Sequence, residues 1–306
     1  MATSEVLRTR DDQQIGITIF PAIRETDKVM IIGPSARVTQ EHYTALAIYM
    51  ATKGITTITF DYRGTGLSAH IPETAAPFTL QQWASIDLDA VLLFAKHRFA
   101  GKEIIFLAHG ISGELTGLAP ASQYINRLVL VNTPLSCKKL WPLKGRLRLM
   151  FSRFFIPIRN FILAIIPGLQ MVTYKGIPPG VLNEWGNWCS NNNGLFDVFP
   201  DANYRKLQIP LLAFSFTDDP YAPTRAVAAL LGHFNNTVTT WYHATPADLG
   251  LTQIGHLGFF AGTHPPATLW DKLLLWIDDR LTEGYQVEED QPASPAPVIN
   301  LAAVKK

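Results

Sequence analysis

The stretch Ile104 to Glu114, IIFLAHGISGE, constrains the fold more than any other part of this chain. Its unbroken apolar start suits a strand buried on both faces, and the glycines at 110 and 113 let the backbone turn sharply into a helix beginning near Ile111. A strand feeding directly into a helix is the building unit of a parallel sheet with helices packed over it.

The same unit recurs on either side. Val6 to Arg8 and Gly16 to Phe20 flank the polar turn Arg10 to Gln14 and are expected to form an opening hairpin of antiparallel edge strands. Val29 to Ile32 reads as a buried strand stopping at Gly33-Pro34. A helix from Gln40 to Lys53 then places Tyr43, Leu46, Ala47 and Met50 on one face, with Gly54 as its cap. Ile55 to Phe60 is the next strand, Thr79 to Phe99 a long helix, and Arg127 to Val131 another strand. Strands at Ile209 to Phe216 and Thr237 to Tyr242 follow, with helices over Thr224 to Leu231 and Pro265 to Leu281. The prediction is an α/β protein with a mostly parallel eight-stranded sheet flanked by helices.

Residues 135–207 break the rhythm. They contain Trp141, Trp185 and Trp188, several prolines and the polar tract Asn191 to Gly194, with no recognisable strand, as expected of a helical cap inserted into the core. The expected organisation is therefore a core of residues 1–134 and 208–282, a cap of residues 135–207, and a disordered tail at 283–306, where acidic residues mix with Pro292, Pro295 and Pro297.

Charge excludes some functions. A net charge of +1 gives no basic footprint for nucleic acid. Cys137 and Cys189 match no metal or redox spacing, so neither a disulfide framework nor a metal or other cofactor is expected. The first residues, MATSEVLRTRDD, lack a signal pattern, and a cytoplasmic location follows by default. Only Leu147 to Leu169 approaches a membrane-spanning length, and Arg148, Arg153, Arg159, Pro157 and Pro167 interrupt it. A basic, apolar surface helix with weak contact to a membrane surface fits that stretch better than a transmembrane segment.

Three turns at strand ends carry the candidate chemistry. Ala108-His109-Gly110-Ile111-Ser112 follows the central strand. Asp219-Pro220-Tyr221-Ala222-Pro223 follows the penultimate strand, and Ile254-Gly255-His256-Leu257-Gly258 follows the last. Function collects at the carboxyl ends of strands in such sheets, and nucleophile, acid, base is the chain order of one class of Ser-His-Asp hydrolases. With these motifs, and with DYRGTGLS at Asp61 to Ser68 and PPGVLNEWGNWC at Pro178 to Cys189, the chain resembles the α/β-hydrolase superfamily over residues 5–282. Within it, the chain is similar to bacterial predicted hydrolases related to serine aminopeptidases and monoglyceride lipases.

The resemblance implies Asp219 as acid, His256 as base, the Ile111 N–H as one oxyanion donor and a second donor near Ala36 or Arg37. It puts Gly110 where the nucleophilic serine belongs. Glycine carries no atom to attack with, so the expectation is a catalytically impaired protein that keeps a capped pocket for a small apolar or acyl-type ligand. The alternative is an active hydrolase of small esters, thioesters or amides, using Ser112 or a water activated by His256. His109 is expected to pack, Asp218 to hold a turn, and Glu114 to favour the first turn of the helix after the elbow.

Overall fold

A computed structural model of the chain describes residues 2–70, 77–143, 145–146, 177–260, 267–280 and 299–300. The nine strands among these described residues are β1 (Thr3–Arg8), β2 (Gln14–Phe20), β3 (Lys28–Gly33), β4 (Thr56–Phe60), β5 (Glu103–His109), β6 (Arg127–Val131), β7 (Leu211–Phe216), β8 (Thr239–Ala244) and β9 (Ile299–Asn300). They form one sheet in the order β1-β2-β4-β3-β5-β6-β7-β8-β9. Every pairing from β4 onward is parallel, while β1 with β2 and β2 with β4 are antiparallel.

The eight expected strands are all present, with two corrections at the margins. Only β1 is an edge strand of the opening hairpin, because Ile17 to Phe20 of β2 also pair with Phe60 to Thr57 of β4. The far edge carries the two-residue β9, from the stretch expected to be a disordered tail, with Ile299 opposite Tyr242. The remainder of that tail lies outside the described residues.

Alternation along the central strands explains why both faces of the sheet are covered. Ile104, Phe106 and Ala108 of β5 pack with Val29 and Ile31 of β3 on one face. Ile105 and Leu107 pack with Met30 and Ile32 on the other. Side chains on a strand point alternately up and down, so an all-apolar strand needs cover on both sides. Helix α1 (Thr44–Thr52), after a 3₁₀ turn at Gln40–Tyr43, places Leu46 and Met50 in the second core. The helical run from Leu80 to Arg98 fills the first with Leu80, Trp83, Leu88, Val91 and Leu92.

That run is not the uniform helix its periodicity predicts. Thr79 and Gln82 form a reciprocal capping box around α2 (Leu80–Gln82), Trp83–Leu88 widens into a π-helix, and α3 (Asp89–Arg98) is regular again. The widened turn buries Trp83 and Asp87 together against Arg63. Trp83 Nε1–H donates to the Arg63 carbonyl at 3.1 Å, and its ring stacks on Tyr62. The Arg63 guanidinium, 2% exposed, donates to Asp87 at 2.7 Å and to Asp11 at 2.7 Å. Burial pushes the Asp87 carboxyl up to about 6, an effect that Arg63 opposes.

The DYRGTGLS loop is therefore structural. Asp61 accepts from Gln40 N–H, Gln40 Nε2–H and Leu67 N–H, and Gly66 at φ +43° lies so close to its carboxylate that a Cβ would stand 2.2 Å from Oδ2.

Between β6 and β7 the regular elements among the described residues are helical. They comprise 3₁₀ turns at Lys138–Leu140, Gly194–Asp197 and Asn203–Lys206, and a helix at Pro179–Ser190 (α5, the helix Ile111–Leu115 after β5 being α4). The candidate membrane-surface stretch Leu147 to Leu169, with its three arginines, lies outside the described residues. No helix among the described residues is long and apolar enough to cross a membrane. Cys137 and Cys189 are both buried and not joined by a disulfide.

Candidate active site

Strand register decides what meets at the elbow. Gly33 of β3 sits opposite Ala108 of β5 in a parallel pair, so the two chains leave the sheet side by side. Two residues further on, Ser35 follows β3 and Gly110 follows β5. Gly110 then starts helix α4 (Ile111–Leu115) with φ +54° and ψ −120°, a backbone conformation that strains any L side chain. A Cβ added there would stand 2.5 Å from Ser35 Oγ and 3.3 Å from His256 Nε2. The backbone thus turns sharply at Gly110, while the space a side chain would take there is occupied by a serine from the neighbouring loop.

The structure brings Asp219 and His256 together. Asp219 follows β7, its side chain fully buried, and its Oδ2 accepts from His256 Nδ1–H at 2.7 Å while Oδ1 accepts from Tyr221 N–H at 2.8 Å. A carboxylate can only accept, so this bond fixes the proton on Nδ1 and turns the Nε2 lone pair toward the elbow. Nε2 faces Ser35 Oγ at 3.3 Å, and the His256 side chain keeps 15% of its surface exposed. Asp218 is bonded elsewhere than at His256. Its Oδ2 accepts from Ile254 N–H and Gly255 N–H at 2.8 and 2.9 Å, tying the Asp219 turn to the His256 turn.

Ser112, expected as an alternative nucleophile, has its hydroxyl engaged elsewhere than at His256. Its side chain is buried under β3, donating to the Pro34 carbonyl at 2.6 Å and meeting Tyr62 Oη at 2.8 Å. Two residues into α4, the helix has rotated Ser112 away from the elbow opening. The Ile111 N–H lies in the first turn of α4, before the first intrahelical bond, Gly113 N–H to the Gly110 carbonyl. Ala36 and Arg37 extend the loop beyond Ser35, with Ala36 half-buried and Arg37 exposed.

His109 does more than pack. Tyr43 Oη accepts from Ser35 N–H at 2.9 Å and donates to His109 Nδ1 at 2.8 Å, while His109 Nε2–H donates to the His256 carbonyl at 3.1 Å. Full burial, and then the neighbouring His256, hold His109 well below the usual histidine range, so it stays neutral and keeps this one tautomer. The chain Ser35–Tyr43–His109–His256 thereby locks the two loops that flank Gly110. Asn132, at φ +50°, reinforces the His256 loop by donating to the Gly255 and His256 carbonyls at 3.1 and 2.9 Å.

Sequence reasoning missed Ser35, Tyr43 and Asn132. The signal for Ser35 was the β3–β5 register, which sets the residue two places beyond Gly33 beside the residue two places beyond Ala108.

Glu114 has a different role from the one its helix position suggests. It is fully buried, and its oxygens accept from Ser136 N–H at 2.6 Å and Ser136 Oγ–H at 2.5 Å, while Trp185 Nε1–H of α5 donates to the same Ser136 Oγ at 2.8 Å. Burial pushes the Glu114 carboxyl from 4.5 up to about 8, and the Ser136 bonds only partly offset this. A carboxyl raised in the folded state holds its proton longer there than in the unfolded chain. Its contribution is full below pH 4.5 and is lost as pH rises toward about 8. Glu114→Gln, which cannot ionise, is expected to match the wild type near pH 5 and to exceed its stability by roughly 2–5 kcal/mol above pH 8. Thermal denaturation of both proteins from pH 5 to 9 checks this, and parallel curves would contradict it.

No protein-family model matches the chain, and no curated protein sequence matches it. Solved structures do. DcsB in complex with its substrate analogue is 15% identical with a TM-score of 0.58, covering 92% of this chain and 100% of that one. The α/β hydrolase GrgF from a Penicillium species is 14% identical with a TM-score of 0.57 over 92% and 100% of the two chains. An esterase from Exiguobacterium antarcticum is 12% identical with a TM-score of 0.56 over 90% and 100%. Sheet order, elbow and neighbours agree that this chain has the α/β-hydrolase fold. At these identities the likeness is one of architecture.

Proposed function

We propose that this protein is a hydrolase of small acyl esters or thioesters, with His256 as general base and Asp219 as the carboxylate that orients it. The observation that carries this reading is the 2.7 Å bond from His256 Nδ1 to a fully buried Asp219, with Nε2 left facing the elbow. Such a pair takes a proton from an attacking hydroxyl and returns it to the leaving group. The Ile111 N–H, with a second N–H at Ala36 or Arg37, serves the developing oxyanion. The ligand this reading calls for is small and apolar or acyl-type. Kinship to serine aminopeptidase-like and monoglyceride lipase-like hydrolases, suggested by the motifs, belongs to the same reading, as do the esterase neighbours.

A second reading is favoured by Gly110 itself. With no side chain at the elbow, the site binds an acyl ligand without turning it over. Steady-state assays with short-chain nitrophenyl esters separate the two. The first reading requires a rate above buffer that disappears in His256→Ala, and the second requires equal, background rates from both proteins.

A further inference from the structure

Among the described residues, the hydroxyl nearest the base does not come from the elbow. Ser35 Oγ lies 3.3 Å from His256 Nε2, and it stands 2.5 Å from the point where a Cβ on residue 110 would be. It is half-buried, whereas Ser112 is wholly enclosed and engaged elsewhere. Its backbone is fixed on both sides: the Ser35 N–H donates to Tyr43 Oη at 2.9 Å, and the Ser35 carbonyl accepts from Val38 N–H at 2.9 Å. The preceding carbonyl, that of Pro34, accepts from Ser112 Oγ–H at 2.6 Å. A loop serine held at three successive points, its hydroxyl aimed at an oriented histidine, has the pre-organisation that a nucleophile needs.

We propose that Ser35, delivered from the loop after β3, is the nucleophile of this site, and that position 110 is glycine because Ser35 occupies its side-chain space. This rests on the reading of His256 and Asp219 as an ester-hydrolysing pair. Ser35 Oγ attacks the ester carbonyl carbon while its proton passes to His256 Nε2. The tetrahedral adduct collapses by breaking the bond to the alcohol oxygen, which takes that proton from His256, and an acyl ester remains on Ser35. Water then attacks the acyl carbon, gives its proton to Nε2, and the acid leaves as Ser35 Oγ recovers the proton. The balance is ester plus water to acid plus alcohol, with no other reactant. The asparagine, histidine and tyrosine contacts that hold the two loops become positioning devices for one bond, the one between Ser35 and His256.

The chain offers a direct assay. Trypsin cleaves after Lys28 and Arg37, and the peptide Val29 to Arg37, VMIIGPSAR, has Ser35 as its sole hydroxyl, whereas the elbow and Ser112 fall in the peptide from Glu103 to Arg127. Incubation of the full chain with a fluorophosphonate, followed by tryptic mass mapping, is expected to place the adduct on Val29 to Arg37. Labelling should be lost in Ser35→Ala and in His256→Ala. Ser35→Cys, which keeps a nucleophile in place, should instead be alkylated by iodoacetamide on the same peptide, faster than the His256→Ala/Ser35→Cys double variant. An adduct on the elbow peptide, or no adduct on Val29 to Arg37, overturns the assignment of Ser35. The reading of the pair fails separately, by ester turnover that does not respond to His256→Ala. Ester turnover that needs His256 but survives Ser35→Ala leaves the pair standing and overturns Ser35 in favour of water.

Discussion

Gly110→Ser alone is expected to lower ester turnover by about 10²-fold, and the exchange Gly110→Ser with Ser35→Gly to return it to within about tenfold of the wild type. The single change puts a Cβ 2.5 Å from Ser35 Oγ and 3.1 Å from Ser35 Cβ, so one of the two hydroxyls must leave the base. It also imposes a side chain on a backbone at φ +54°, at a cost of roughly 1–3 kcal/mol. Removing the Ser35 side chain in the same protein clears both contacts and leaves the serine introduced at the elbow with its Cβ 3.3 Å from His256 Nε2, within reach of the base. The two positions should therefore couple strongly in a double-mutant cycle on kcat/KM, with the fluorophosphonate adduct moving to the elbow peptide. Additive losses would show that the two residues do not share one site.

Asp219→Asn is expected to reduce turnover by about 10⁴-fold while leaving the fold intact. In the wild type, two contacts fill the carboxylate: His256 Nδ1–H at 2.7 Å and Tyr221 N–H at 2.8 Å. An amide keeps the shape and the Tyr221 contact through its oxygen, but it turns an N–H toward Nδ1. The imidazole must then carry its proton on Nε2, where it points a donor at Ser35 and cannot take a proton from it. Steady-state rates on a nitrophenyl ester, with melting temperature as the control for folding, check this. A variant that retains its rate would mean that Asp219 orients nothing.

Much of this architecture is legible in the sequence because its signals are local. Apolar runs at Ile104 to Leu107 and Arg127 to Val131, each ending in a turn, mark strands without reference to the rest of the chain. Asp219 and His256 each stand in a short turn of recognisable pattern. Pairing the two turns follows from the order of strands, since β7 and β8 are neighbours and their carboxyl ends are shared.

What the sequence hides is registered across distance. Ser35 and His256 are 221 positions apart, and a lone serine after Gly33-Pro34 carries no local mark of chemistry. Only the alignment of Gly33 with Ala108 makes its position meaningful. Ser112 looked closer to the chemistry because it is two residues from the elbow, but helical rotation separates neighbours in sequence as surely as strand register unites strangers. The π-turn at Trp83–Leu88 is hidden for a related reason: buried Asp87 is drawn to Arg63 from a different loop. Likewise Glu114 sits in the first turn of α4, as its position suggested, yet its carboxyl is committed to Ser136, beyond the end of β6.

The departure at residue 110 therefore reads as one half of an exchange. A glycine at the elbow alone describes a damaged hydrolase. A glycine beside a serine, with His256 Nε2 3.3 Å from the serine hydroxyl and hydrogen-bonded side chains holding both loops, is the arrangement that supports an attacking oxygen arriving from the adjacent strand. The most direct test is a crystal structure of the full chain after reaction with a phosphonate ester. The account predicts phosphorus bonded to Ser35 Oγ, with His256 Nε2 within hydrogen-bond distance of that oxygen. Phosphorus on Ser112 Oγ, or an unreacted phosphonate with Ser35 turned away from His256, would contradict it.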